Sequence, residues 1–167
     1  MKKFLLYISI CIQCTFTLFS QKSDIDKSYD KYDGSTSFHT PYYGSGIAAQ
    51  LEETMVAHKI ITKDSAVVYY LSLNTQSSTL AVGKKGVIVL FTDGSKLEFP
   101  DTEIREKVGS AGYFKYSAYI KLDEDTLKQF EEKQVEGFKL YIFEGRPLTI
   151  KKAQKFMSLI KELQDAE

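Results

Sequence analysis

Any chemistry in this chain has to be assembled from few parts. It holds two histidines, His39 and His58, and two cysteines, Cys11 and Cys14. A zinc ion takes three or four side-chain ligands, and these histidines have neither HExxH spacing nor a cysteine companion. They sit in the strand-like runs STSFHT and AHKII, where an isolated histidine commonly packs at a core edge or faces water. Serine hydrolysis on a G-x-S-x-G elbow finds only a superficial echo in Ser45 of Gly44-Ser45-Gly46. A triad of Ser45, His39 and an aspartate stays open on spacing, because triads are assembled in space. Asp24, Asp26, Asp30 and Asp33 invite a calcium reading, but they lack the alternate spacing, the glycine and the closing glutamate of a calcium loop. Glu52-Glu53, Asp123-Glu124-Asp125 and Glu131-Glu132 are paired carboxylates. The second set suits the start of a helix and the third its solvated side. Gly83-Lys84-Lys85-Gly86 resembles a phosphate cradle in composition. Without the Lys-Ser/Thr ending and the strand-to-helix context it reads as a turn. No catalytic residue, metal ligand or cofactor is assigned.

Aromatic residues are what the chain has in excess, with 11 tyrosines and 11 phenylalanines. Tyrosine serves both sheet faces and recognition surfaces, since it joins an apolar ring to a polar tip. The stretch KYDGSTSFHTPYYG, from Lys31 to Gly44, concentrates them. Tyr32, Tyr42 and Tyr43 are therefore the candidate ligand-binding residues, as a stacking surface for a glycan or small molecule. The formal net charge is zero. A nucleic-acid binder needs a basic face, and none is evident.

The first twenty residues have the layout of a secretory signal peptide: Lys2 and Lys3, then an apolar run, then Ser20 as the small residue before cleavage at Gln21. The run is short for a membrane span and contains Gln13. Lipid attachment at Cys14 or Cys11 lacks the small residue expected before the cysteine. Residues 1–20 are thus expected to be a removed signal, 21–33 a polar, poorly ordered leader, and 34–167 a single domain. The remaining chain has no cysteine and must be held by its core alone.

A sheet must position whatever site exists. Asp33-Gly34 is a turn, and STSFHT a strand with Phe38 inward and Ser37 and His39 outward. Pro41 ends that strand and YYGSG forms a loop, sending at most one of Tyr42 and Tyr43 into the core. Further strands are expected at Glu53–Ile61, where a short helix is the competing reading, at Ser65–Leu73, at Thr79–Val82 and from Val87 to Phe91. Asp93-Gly94 predicts a tight primed hairpin into SKLEF. Pro100 to Lys107 reads as a short helical turn, broken between Gly109 and Gly112. The strand from Tyr113 to Leu122 places Phe114 and Tyr116 on one face, Tyr113 and Tyr119 on the other. DEDTLKQFEEK predicts a short helix buried through Leu127 and Phe130, ended by Gly137, and FKLYIF a strand. From Thr149 an amphipathic helix presents Ile150, Ala153, Phe156, Met157, Ile160 and Leu163 on one side. The expected class is α+β: a mostly antiparallel sheet of six to eight strands with one short helix and one C-terminal amphipathic helix packed on it.

The export segment, DKYDGSTSFHT, the FTDGSKLEF hairpin and FKLYIFEGRPLTIKKAQKFMSLI together resemble small secreted proteins of unassigned function from Bacteroidetes-type bacteria. That resemblance implies an exported domain and carries over no catalytic residue. The expected function is that of a secreted or periplasmic, non-enzymatic domain that interacts with a protein or a cell-envelope component. Two alternatives stand beside it: a glycan or small-molecule binding module using exposed tyrosines, and a hydrolase built on His39 or His58.

Overall fold

Alternating apolar and polar residues recur along this chain, and they fold as antiparallel strands that bury one face. The computed structural model describes residues 24–45, 53–109, 112–145 and 147–167. The predicted signal segment, 1–20, lies outside them. The strands are β1 (Asp26–Tyr29), β2 (Thr36–His39), β3 (Tyr43–Ser45), β4 (Glu53–Ile61), β5 (Val67–Ser77), β6 (Lys85–Phe91), β7 (Lys96–Val108), β8 (Phe114–Leu122), β9 (Val135–Leu140) and β10 (Phe143–Glu144). Two helices join them, α1 (Glu124–Glu132) and α2 (Ile150–Asp165). The strands form one sheet in the order β1-β2-β4-β5-β8-β7-β6-β9-β10, with β3 also paired to β4. The class is α+β, as expected. The ten strands exceed the expected six to eight because β1, β3 and β10 are very short.

The sheet curls at β7. Its first part, around Leu97 and Phe99, pairs with β6, while Ile104 to Val108 pairs with β8. The register against β6 shifts between Lys85 and Val87, so the chain around Pro100 bulges. Proline has no N–H to give a ladder and is tolerated at such a bulge. The helical turn expected from Pro100 to Lys107 is therefore a bent strand. Bending brings β10 back over β5 and β8: Thr75 Oγ1 donates to the Glu144 carbonyl at 3.3 Å, and the Tyr116 and Phe143 rings stack at 4.2 Å.

Other departures have equally local causes. Asp26–Tyr29, within the expected leader, pairs with β2. Asp24 adds a 2.8 Å ion pair to Lys155 of α2. Tyr43–Ser45, expected in a loop, continues along β4 after the break at Pro41. Across that break the Thr40 hydroxyl accepts from Ala57 N–H at 3.1 Å. Thr79–Val82 is not a strand; β5 runs on to Ser77 and a loop follows. FKLYIF is split by a two-residue turn, with Tyr141 at φ 57°. Helix α1 closes at Lys133, before Gly137, which lies inside β9. At Asp93-Gly94 only the glycine has positive φ. Gly94 N–H donates to Phe91 O, a type I turn with a glycine bulge rather than the primed turn expected.

The inner face and both helices make one core. Leu127 and Phe130 of α1 are buried, as are Ala153, Phe156, Leu159, Ile160 and Leu163 of α2. Leu159 is buried and Ile150 exposed, a partial rotation of the expected α2 face. Asp123 caps α1, accepting from Thr126 N–H at 2.8 Å. The C-terminus of α2 docks on a cross-strand row of the inner face, Lys27–Phe38–Lys59. Both ammonium groups lie over the Phe38 ring, at 5.0 and 5.9 Å. Lys59 Nζ donates to the carbonyls of Gln164 at 2.5 Å and Ala166 at 2.6 Å, and Lys27 Nζ to that of Glu167 at 2.6 Å. Cations at a helix C-terminus satisfy carbonyls that lack a partner within the helix and oppose its dipole.

A urea-denaturation series tests this packing. Phe38→Ala should cost about 3–5 kcal/mol, as a truncated core aromatic does, and His39→Ala under about 1 kcal/mol. Lys59→Met, which keeps the apolar stem and removes the charge, should cost about 1.5–3 kcal/mol. A larger loss at His39 than at Phe38 would reverse the assigned faces.

Candidate functional site

The polar residues of the sequence gather on the outer face of the sheet, in a row crossing five strands. Asp26, His39, His58, Tyr70 and Lys121 are successive register partners on β1, β2, β4, β5 and β8. The two imidazoles face each other with centroids 5.9 Å apart. His39 Nδ1 lies 3.2 Å from the Thr40 carbonyl and 4.0 Å from an Asp26 oxygen. His58 Nε2 is 3.0 Å from Ser72 Oγ, which itself donates to the Val56 carbonyl at 3.4 Å. Burial, and then the neighbouring His39, hold the His58 imidazole below its usual pKa.

This arrangement does not build the relay of a hydrolase. A triad places one imidazole between a carboxylate and a nucleophile. Here the carboxylate, Asp26, belongs to His39, and the hydroxyl, Ser72, belongs to His58. Ser72 is also only 6% exposed. Ser45 ends β3 opposite Glu53. The leader aspartates have structural partners as well. Asp30 and Asp33 accept from the backbone N–H of Tyr32 and Ser35 at 2.7 and 2.8 Å, and these bonds from Ser35 hold the Asp33 carboxyl below its usual range. Among the described residues no group of three histidine, cysteine, aspartate or glutamate side chains could hold a metal ion. Gly83 to Gly86 leads into a strand, not a helix. The Lys84 carbonyl accepts from Ile104 N–H, and Lys84 Nζ lies 5.3 Å from the Tyr141 ring centre.

The three candidate tyrosines are held apart. Tyr32 lies in the turn between β1 and β2 and is 88% exposed. Tyr42 is exposed beyond the other end of β2, a strand whose four extended residues alone span roughly 13 Å. Tyr43 packs edge-on against Phe156 at 5.5 Å, and burial raises its phenol pKa. Tyr32 instead joins Tyr29, with Lys31, Ser37, Lys63 and Asp64, around an open concavity of about 980 Å³ between the β1–β2 and β4–β5 turns.

The opposite end of the sheet has a different character. Ser77, Phe114 and Val108 are register partners where β5 and β7 end and β8 begins. The β5–β6 loop folds across this end, since Tyr116 Oη donates to Thr79 O at 2.6 Å and accepts from Ala81 N–H at 3.0 Å. The β9–β10 turn joins it through Tyr141 N–H on Gly86 O at 2.8 Å. Leu80, Val82, Val108, Tyr113, Tyr141 and Ile142 are all exposed there. The sequence reading missed this cluster by assigning Thr79–Val82 and FKLYIF to strands. Val108 and Tyr113, next to Gly109 and Gly112, were its one local signal, large apolar residues flanking a turn.

No protein-family model, curated protein or solved structure matches this chain. The fold and surfaces define it only as an α+β domain with a curled antiparallel sheet.

The His58 environment sets a pH dependence. Its folded pKa is depressed, so the unfolded chain takes up the proton first as pH falls through about 6.5. This contribution is complete above that value, is lost down to the folded pKa, and is constant below it. The urea midpoint of the wild type should therefore fall on mild acidification, and His58→Gln should fall less. Equal slopes for the two would show that His58 contributes nothing to the acid loss.

Proposed function

We propose that this chain is an exported, non-enzymatic domain that docks on a component of the cell envelope through the apolar end of its sheet. The observation that carries this reading is the exposure of six large apolar side chains on three separate connections that meet at one end. Val108 is 77% exposed and Val82 60% exposed, although the core would gain by burying either. Contiguous exposed apolar surface of this kind marks interaction sites. Export is supported by Lys2 and Lys3 ahead of an apolar run ending at Ser20.

Fractionation of cells producing the full chain tests it. The wild type should co-fractionate with the envelope, and the combined variant Leu80→Ser, Val82→Ser, Ile142→Ser should shift to the soluble fraction. A wild type found in the cytoplasm, or a variant that stays with the envelope to the same extent, would overturn the reading.

A second reading is favoured by the concavity beside Tyr29 and Tyr32. Exposed rings next to hydroxyl, ammonium and carboxylate groups suit a saccharide, which stacks its C–H face and hydrogen-bonds at the rim. A glycan array should then give hits that Tyr32→Ala abolishes. An array without hits removes this reading.

A further inference from the structure

Resting on the docking reading above, we infer that the envelope component is the bilayer surface itself, recognised through anionic lipid headgroups. The connections that carry the apolar tips also carry cations. Lys107 precedes Val108, Lys115 follows Tyr113, and Lys84 follows Val82. Lys107 and Lys115 are direct register partners on β7 and β8. Like charges on directly opposed sheet positions repel, so the sheet gains nothing from this pair. Among the described residues no salt bridge of Lys84, Lys107 or Lys115 is formed. Lys85 is different, since Glu103 stands opposite it in the register. Glu106 adjoins Lys107 in sequence; strand alternation turns Glu106 and Val108 to one face and Lys107 to the other, so Val108 and Lys107 are neighbours at the strand end rather than on one face.

The form of the surface selects a bilayer over a protein groove. The apolar side chains project from three turns and loops rather than lining one cleft, and the lysines stand beside them on the same connections. Peripheral membrane binding combines these two elements, with apolar tips entering the headgroup layer while flanking lysines meet its negative potential. Tyrosine prefers that boundary, and two of the six exposed residues, Tyr113 and Tyr141, are tyrosines. Asp30, Asp33 and Asp64 line the concavity at the far end of β5 together with Lys31 and Lys63, while Glu103 and Glu106 are the acidic residues of β7 nearest the apolar end.

Vesicle co-sedimentation of the purified full chain tests this inference. The probes are vesicles of phosphatidylcholine alone and of equal parts phosphatidylcholine and phosphatidylglycerol. Binding to the anionic vesicles should exceed binding to the neutral ones by about tenfold and should fall steeply with added salt. Lys107→Glu with Lys115→Glu should abolish the preference for anionic vesicles. Val82→Ser with Val108→Ser should weaken binding to them. Thermal unfolding of both variants should match the wild type, since all four side chains but Val82 lie on exposed strand ends and Val82 on a loop. Binding that persists unchanged in both variants would belong to the apolar segment at residues 4–19 and would overturn the inference. Equal binding to neutral and anionic vesicles would overturn it too. Absence of vesicle binding, in a chain that still co-fractionates with the envelope through Leu80, Val82 and Ile142, would overturn the lipid assignment and leave the docking reading standing with a protein as partner.

Discussion

The docking of the α2 C-terminus onto Lys27, Phe38 and Lys59 ties the two ends of this chain together. A lysine buried on the inner face of a sheet is costly unless its charge is partnered. Lys59 is 6% exposed, and its ammonium is satisfied by the last carbonyls of a helix more than a hundred residues later in sequence. Those carbonyls in turn have no partner inside the helix. Two deficits are met by one contact, and Phe38 lies beneath it as an apolar floor whose ring face also attracts both cations. Fixing that end of α2 sets its direction across the sheet, so that Phe156, Ile160 and Leu163 reach the core.

The helices cover only part of the inner face, and the sheet covers the rest by curling. The bend in β7 around Pro100 makes this possible, as one long strand serves β6 before the bend and β8 after it. Close approach is required where β10 returns: a Cβ on Gly145 would lie 2.5 Å from the Phe138 ring, so glycine is needed there. The curl has a consequence for function. It brings three connections toward one end that an open sheet would leave apart, with the β5–β6 loop held on Tyr116 and the β9–β10 turn on Gly86.

Most of the groups that looked capable of chemistry are used to hold the structure. Asp33 and Asp93, each in an Asp-Gly-Ser sequence, accept the N–H of the serine two residues on. Asp24 ties the chain ahead of β1 to α2 through Lys155, and the hydrogen bond from this ammonium to Asp24 raises its pKa. The histidines meet across β2 and β4 and divide Asp26 and Ser72 between them. Among the described residues, side chains with no such internal duty include Tyr32 at the aromatic concavity and Leu80, Val82 and Ile142 on the connections at the other end.

Local pattern in the sequence determined much of the fold. Alternation set Phe38 inward against His39, and Tyr116 and Tyr119 on opposite faces, because a strand has a period of two whatever it pairs with; which of the two tyrosines is core was left to the fold. The Asp-Gly turns, the acidic start of α1 and the apolar stripe of α2 are likewise short-range signals. What the tertiary structure alone decided depends on partners distant in sequence. Pro100 lies in a strand because the bulge there needs no N–H from it. FKLYIF breaks at Tyr141 because β10 must return to β9. Lys59 points inward because the end of α2 offers it carbonyls. The apolar end was hidden for the same reason: Val82, Val108 and Ile142 are unremarkable residues in three separate segments, and only the curl of the sheet, set by non-local register, makes them one surface.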